Sequence, residues 1–261
     1  MDIFFLENID IYSWQVILIL ILAGFFVGVI NTLAGSGTII TYSLFMLLGL
    51  PANLANGTIR LGVIMQTLAA SLNFKRQNVL EIKKGIILGI PVVLGSIAGA
   101  QIAASINENI FEKILGGVML LMLLFIFYDP KKWIQGQIEL ISKKTGVFQV
   151  IIFFLIGLYG GFIHIGVGIF LLAGLVLNAG YDLVKANAIK VFIVLLYSPF
   201  ALTIFIMNNQ VDYWLGAVSA IGNIIGGIVA SQFAVSFGAK YIRWILIIII
   251  IAFSSKLLGI I

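Results

Sequence analysis

Two short stretches place hydrogen-bonding and cationic side chains together in an otherwise apolar chain: Ala55-Asn56-Gly57-Thr58-Ile59-Arg60 and Ala186-Asn187-Ala188-Ile189-Lys190. An asparagine can open a helix by accepting from its first backbone N–H groups, and the same N–H groups attract anions. Asn56 and Asn187 are therefore expected to cap helices. Thr58 and Arg60 in one stretch, and Lys190 in the other, would help to hold a small anion. A competing reading has both cations snorkelling to headgroups, or pairing with an acid such as Asp182. A charge inside a membrane is costly, and its appearance in both stretches favours a binding role.

Ahead of each stretch lies a glycine-rich interruption, Ala34-Gly35-Ser36-Gly37-Thr38 and Gly160-Gly161-Phe162-Ile163-His164-Ile165-Gly166-Val167-Gly168. Within lipid, non-helical backbone survives only where protein buries it or where it lines a cavity. Matching interruptions in two halves of a chain point to a substrate site near the bilayer midplane. Gly35, Ser36, Gly37, His164, Gly166 and Gly168 therefore join the candidate substrate-binding residues. His164 can bind an anion as imidazolium, relay a proton or satisfy a carbonyl. Gln101 and Gln232 add uncharged donors and acceptors, as substrate contacts or as bridges between helices. An enzyme reading would make Ser36 the nucleophile and His164 the base of an intramembrane serine hydrolase, but no third residue is available to orient His164. The segment Gly35-Ser36-Gly37-Thr38 lacks the lysine and spacing of a phosphate-binding loop. With no cysteine and a single histidine, neither a metal nor another cofactor is expected.

The elements that must position these residues follow from composition. Of 261 residues 62% are hydrophobic and 10% charged, with a mean hydropathy of +1.19, whereas soluble domains carry roughly 25% charged residues. A water-soluble globular fold is excluded. The net charge of +5 sits in short loops, the pattern of the positive-inside rule, and does not indicate nucleic acid. The segment Met1 to Tyr12 carries Asp2, Glu7 and Asp10 and lacks the basic start of a signal peptide, so no cleavage is expected.

Apolar runs predict helices over Trp14 to Leu33, Ile39 to Leu50 (short), Asn53 to Phe74, Gly85 to Ile106 and Phe111 to Tyr128. A second set covers Val147 to Ile165, Ile169 to Gly180 (short), Leu183 to Met207, Tyr213 to Phe237 and Ala239 to Leu257. A shift of 131 residues pairs Gly35 with Gly166, Gly37 with Gly168, Gly49 with Gly180, Ala55-Asn56 with Ala186-Asn187, Phe74 with Phe205, Asn78 with Asn209, Gly85 with Gly216, Gly95 with Gly226 and Gln101 with Gln232. Apolar matches alone would mean little, but paired asparagine and glutamine are rare types here. Lys75, Arg76, Lys83 and Lys84 in one loop, Lys131, Lys132, Lys143 and Lys144 in another, and Lys240 and Arg243 in a late turn are placed in the cytoplasm, with both termini outside. The odd number of crossings between the N-terminus and the central loop then turns the second half upside down. The expected fold is an all-α polytopic membrane protein of two inverted-topology repeats, each of four to five helical segments with a broken or re-entrant helix pair. Residues 1–128 form the first repeat, 129–146 a basic cytoplasmic linker and 147–261 the second repeat. Gly85 with Gly89, and Gly95 with Gly99, each pair about one turn apart, are expected to serve close helix packing.

At Gly35-Ser36-Gly37, Ala55 to Thr58, the glycines from Gly157 to Gly168, and Lys185-Ala186-Asn187-Ala188-Ile189-Lys190, the chain resembles the sulfite exporter TauE/SafE family, also called the toluene sulfonate uptake permease family. The resemblance runs from Phe25 to Leu257; the first break carries Ala34 and Ser36 where members often show a fuller glycine run. It implies an inner-membrane carrier for small sulfur-containing anions, built from two homologous halves. On this reading the expected partners are a small anion such as sulfite or a sulfonate, the lipid bilayer and a coupling proton or cation, with a homo-oligomer among the assemblies to test. The mechanism would be alternating access around a midplane site. An anion-selective channel is the alternative, since re-entrant repeats also build pores.

Overall fold

The computed structural model describes residues 10–107, 110–111, 114 and 146–257, with side chains described as far as Ser236. Every regular element among them is helical: α1 (Trp14–Leu33), α2 (Thr38–Leu47), α3 (Ala52–Arg76), α4 (Ile82–Ser105), α5 (Val147–Phe162), α6 (Val167–Ala173) continued by a π-helical turn (Gly174–Asn178), α7 (Leu183–Met207) and α8 (Tyr213–Leu257). The expected crossing Phe111 to Tyr128 and the linker 129–146 lie, apart from Phe111, Ile114 and Gly146, outside the described residues.

Among the described residues four helices are long and apolar enough to cross a membrane: α1, α4, α7 and the Tyr213–Ser236 part of α8. α3 is as long as α7, 25 residues each, but its polar positions Asn56, Thr58, Arg60, Gln66, Thr67 and Ser71 lower its hydropathy, and all of them are buried. That burial turns α3 from a poor lipid-facing helix into an interior one. Large apolar side chains on the outer faces of α1 and α4, among them Leu22, Phe26, Ile90 and Leu94, are exposed, as a lipid-facing surface requires.

The 131-residue register holds at the level of backbone. α3 and α7 are related by that shift at both ends, as are α4 and the Tyr213–Ser236 part of α8. The left-handed residues recur in the same way: Gly35 with Gly166, Gly49 with Gly180, and Asn78 with Asn209. Both asparagines close a helix by the same device. The N–H of Val79 returns to the Phe74 carbonyl at 3.1 Å, and that of Gln210 to Phe205 at 2.8 Å, a Schellman-type end with asparagine in the left-handed position.

Glycine contacts fix the helix directions. A Cβ on Gly24 or Gly28 of α1 would strike the carbonyls of Ser219 or Asn223, and one on Gly95 or Gly99 of α4 those of Phe154 or Leu158, so α1 and α8 run the same way, as do α4 and α5. Gly62 against Asn223 and Gly227 against Gln66 align α3 with α8; Gly85 against Phe192 and Gly89 against Leu196 align α4 with α7. The expected packing role of Gly85, Gly89, Gly95 and Gly99 is seen at all four. α3 and α7 are antiparallel, since Gly57 near the start of α3 meets Phe205 and Gln210 at the end of α7.

The turn expected near Lys240 is absent. α8 continues from Tyr213 to Leu257 as one helix of 45 residues, roughly 67 Å at 1.5 Å per residue. A lone Gly238 followed by Lys240 and Arg243 removes little helix propensity, and no proline interrupts it. The placement of the C-terminus outside depended on that turn and is not carried forward.

Candidate functional site

α1 ends at Leu33 and α5 at Phe162, and the breaks that follow touch each other. The Gly168 N–H donates to the Gly35 carbonyl at 3.3 Å, and a Cβ on Gly35 would lie 2.3 Å from the Gly168 Cα. With φ at +84°, Gly35 is also in the region that disfavours side chains. Gly166 is left-handed as well and caps α6, whereas Gly37 caps α2 with its Cα pressed on α1.

Both helix ends leave carbonyls without intrahelical partners, carrying the negative end of the helix dipole. Each is met by a cation from the other part of the chain. Arg60 of α3 donates through Nη1 to Gly160 at 3.2 Å and through Nη2 to Gly161 at 2.6 Å, with its guanidinium 4.7 Å from the centre of the Phe205 ring. Lys190 of α7 donates to the carbonyls of Asn31 at 3.2 Å and Thr32 at 2.8 Å. Arg60 is 0% and Lys190 1% exposed, so neither snorkels to a headgroup. The ion pair of Lys185 with Glu81 at 3.2 Å lies at the surface and involves neither of them. Two buried cations therefore hold only backbone oxygens.

The asparagines do not start helices. α3 begins at Ala52 after Pro51, and α7 begins at Leu183, capped by the Asp182 carboxylate, which accepts from the N–H groups of Val184 and Lys185. With Asp182 occupying the cap, Asn187 falls a turn inside. Asn56 Nδ2 donates instead to the Phe162 carbonyl at 2.9 Å. Asn187 is 0% exposed, yet neither its Oδ1 nor its Nδ2 has a partner.

A small cavity, with room for about one water, lies beside Gly35 and Gly168 and is lined by Asn31, Gln66, Thr67, His164 and Lys190. His164 Nδ1 and the Tyr197 hydroxyl are 2.9 Å apart. Gln66 accepts from Asn31 Nδ2 at 3.3 Å and donates to Thr32 Oγ1 at 3.0 Å. Sequence reading missed Asn31, Thr32, Gln66 and Tyr197. Gln66 and Tyr197 stand 131 residues apart, but as unlike residue types they give no signal in a self-comparison.

Other candidates fall elsewhere. Thr58 donates to Leu54 and accepts from the Asp212 N–H, tying down the turn before α8. Ser36 is buried with its Oγ unpartnered, so no nucleophile–base bond joins it to His164. Gln101 and Gln232 are exposed on outer faces. Gln101 follows by two residues the Gly99 that packs on α5, about 200° around the helix, and so faces away from the cluster.

The sequence profile of the sulfite exporter TauE/SafE family matches residues 20–257. The chain belongs to this family. Its curated relatives carry transporter names: it is 27% identical to a probable membrane transporter protein, ORF9, of a Sinorhizobium species over 95% of this chain and 94% of that one. It is 27% identical to a probable membrane transporter protein of Haemophilus influenzae, covering 92% and 93%, and to the probable membrane transporter protein YfcA of Escherichia coli K12, covering 88% and 85%. No solved structure matches. The chain is thus a membrane transporter of the TauE/SafE family, with several apolar helices crossing the bilayer.

Proposed function

We propose that the chain is a secondary transporter of small anions, sulfur-containing ones such as sulfite or sulfonates, working by alternating access around the two helix breaks. The observation that carries this reading is the pair of fully buried cations, Arg60 and Lys190, with no carboxylate partner among the described residues. An uncompensated charge in a membrane interior is costly, and an anion is the partner that offsets it. Asn187, buried and unpartnered one turn before Lys190, is a ready ligand on the same helix face. The small size of the cavity favours a carrier that occludes its cargo over an open pore.

The two halves, joined through 129–146, are read as inverted repeats. In support, α1, α3 and α8 run one way and α4, α5 and α7 the other, so each pair related by 131 residues contains one helix of each direction. We read the chain as an inner-membrane protein with the linker in the cytoplasm and the N-terminus outside, an orientation that the lysine and arginine counts support.

Uptake into proteoliposomes, screened against sulfite, sulfate, thiosulfate and small sulfonates, tests the function. Saturation and counterflow are expected for one of these anions; single-channel currents without counterflow would instead establish a channel. The chain has no cysteine, so single cysteines at Asn78 and Asn209 test the topology cleanly. They should react from opposite sides of the membrane, and labelling of both from one side would refute the inversion.

A further inference from the structure

The second break contains a titratable group that anion binding by Arg60 and Lys190 does not require. His164 is the single histidine of the chain and is 1% exposed. Its Nδ1 is committed to the Tyr197 hydroxyl at 2.9 Å, and its ring lines the same cavity as Lys190, Asn31 and Gln66. Whichever tautomer makes that bond, the neutral ring keeps one nitrogen able to take a proton. The position equivalent to His164 in the first half is Leu33, and that equivalent to Tyr197 is Gln66, so this pair occurs once per chain.

The charged and titratable groups around the ring have one sign. From α3 comes Arg60, bonded to Gly160 and Gly161 just before the break. From α7 come Lys190 and the neutral Tyr197. From α5 comes the neutral Tyr159, whose hydroxyl donates to the Ile165 carbonyl at 2.5 Å. α1 offers only Asn31 and Thr32, and no described acidic side chain lines the cavity. An imidazolium here would be a third positive charge beside two uncompensated cations, which Coulomb repulsion in a low-dielectric interior opposes. An anion lodged against Lys190 removes that repulsion.

We propose that His164, held by Tyr197, is a proton-binding site that fills together with the anion, so that the carrier moves one proton with each anion. This rests on the anion-carrier reading and adds its co-substrate. The bound proton sits on the imidazole and leaves with the anion on the other side, restoring the neutral ring.

The native protein supplies the first test, because its one histidine gives unambiguous imidazole signals in a detergent or nanodisc NMR sample. Thiosulfate and methanesulfonate serve as probes because neither titrates near neutral pH. At fixed neutral pH, adding a saturating probe should convert the neutral imidazole signal to imidazolium. By linkage, affinity for the probe should rise by up to about tenfold per unit fall in pH across that titration. In proteoliposomes with an entrapped pH dye, the native protein should move protons in step with the probe. In His164→Gln the pH dependence of binding should vanish, and whatever anion flux remains should carry no proton. Tyr197→Phe, which keeps the ring packed, should shift the pH dependence without abolishing it. Probe binding that leaves the imidazole signal unchanged, or proton movement by His164→Gln at the native ratio, overturns the proton site while the anion carrier stands. Failure of both probes and of sulfite to bind the native protein overturns the carrier reading, and the proton site falls with it.

Discussion

Around the end of α5, Asn56 bonds Phe162 and both terminal nitrogens of Arg60 bond Gly160 and Gly161. Around the end of α1, Lys190 bonds Asn31 and Thr32, but Asn187, the repeat equivalent of Asn56, has neither polar atom bonded. The break after α5 is closed by side chains of α3, and the break after α1 is left with unspent hydrogen-bonding capacity beside a cavity. Burying an unsatisfied polar group costs roughly 1–3 kcal/mol, so the break after α1 is the less stable and, on the proposed function, the one that awaits a ligand. Elements that recur at a 131-residue shift can thus hold an asymmetric site.

The largest effect should come from the contact the two breaks share. Gly35→Ala and Gly168→Ala each drive a Cβ into the other glycine's backbone, and the expected result is loss of both monodisperse protein and uptake. Gly49→Ala is the control: it is equally left-handed, with φ at +93°, but a Cβ there meets nothing within 4 Å. Its cost should be the conformational one alone, about 1–2 kcal/mol, measured by thermal unfolding. Equal damage from all three would mean that strain, not contact, governs the breaks.

Next come the cations. Arg60→Met and Lys190→Met each strand two carbonyls, at roughly 1–3 kcal/mol per group, and remove the charge proposed to hold the anion. Both should abolish saturable uptake; if both transport like the parent, the cations serve the helix ends only.

The asparagines sharpen the comparison most. Asn56→Ala should lower stability by about 1 kcal/mol through its lost bond to Phe162. Asn187→Ala removes two unsatisfied atoms and should leave the melting temperature unchanged or raised, while uptake falls about tenfold, equivalent to one lost hydrogen bond of ~1.4 kcal/mol to the cargo. The reverse pattern would assign the open end to the break after α5. The smallest effect is expected where the halves are alike: Asn78→Gly and Asn209→Gly should each change stability by less than about 1 kcal/mol, and by the same amount.

Much of this was legible in the chain because asparagine and glutamine are rare enough to align by eye and because the backbone roles of glycine and asparagine are local. Gly35 and Gly166, and Asn78 and Asn209, which the 131-residue shift pairs, are alike in being left-handed. Partners were not legible. Arg60 and Lys190 bond to backbone carbonyls, which every residue has, so no residue type announces the acceptor. The cap was misread because Asp182 competes for the same N–H groups as Asn187 and stands nearer the helix start. The continuous α8 was misread because a basic pair signals a loop only when the backbone has a reason to turn.

The reciprocal bonding of the two cations has a consequence for biogenesis. When Lys190 leaves the ribosome, its acceptors Asn31 and Thr32 have already been made. Arg60 is made 100 residues before Gly160, an interval of ~5–20 s at ordinary rates of synthesis. For that time the nascent first half must keep a bare guanidinium at the protein–lipid boundary or in the insertion machinery. A ribosome stalled between the halves would therefore yield a product that cannot settle in the bilayer, marking truncated chains for disposal by the same charge that the finished protein buries.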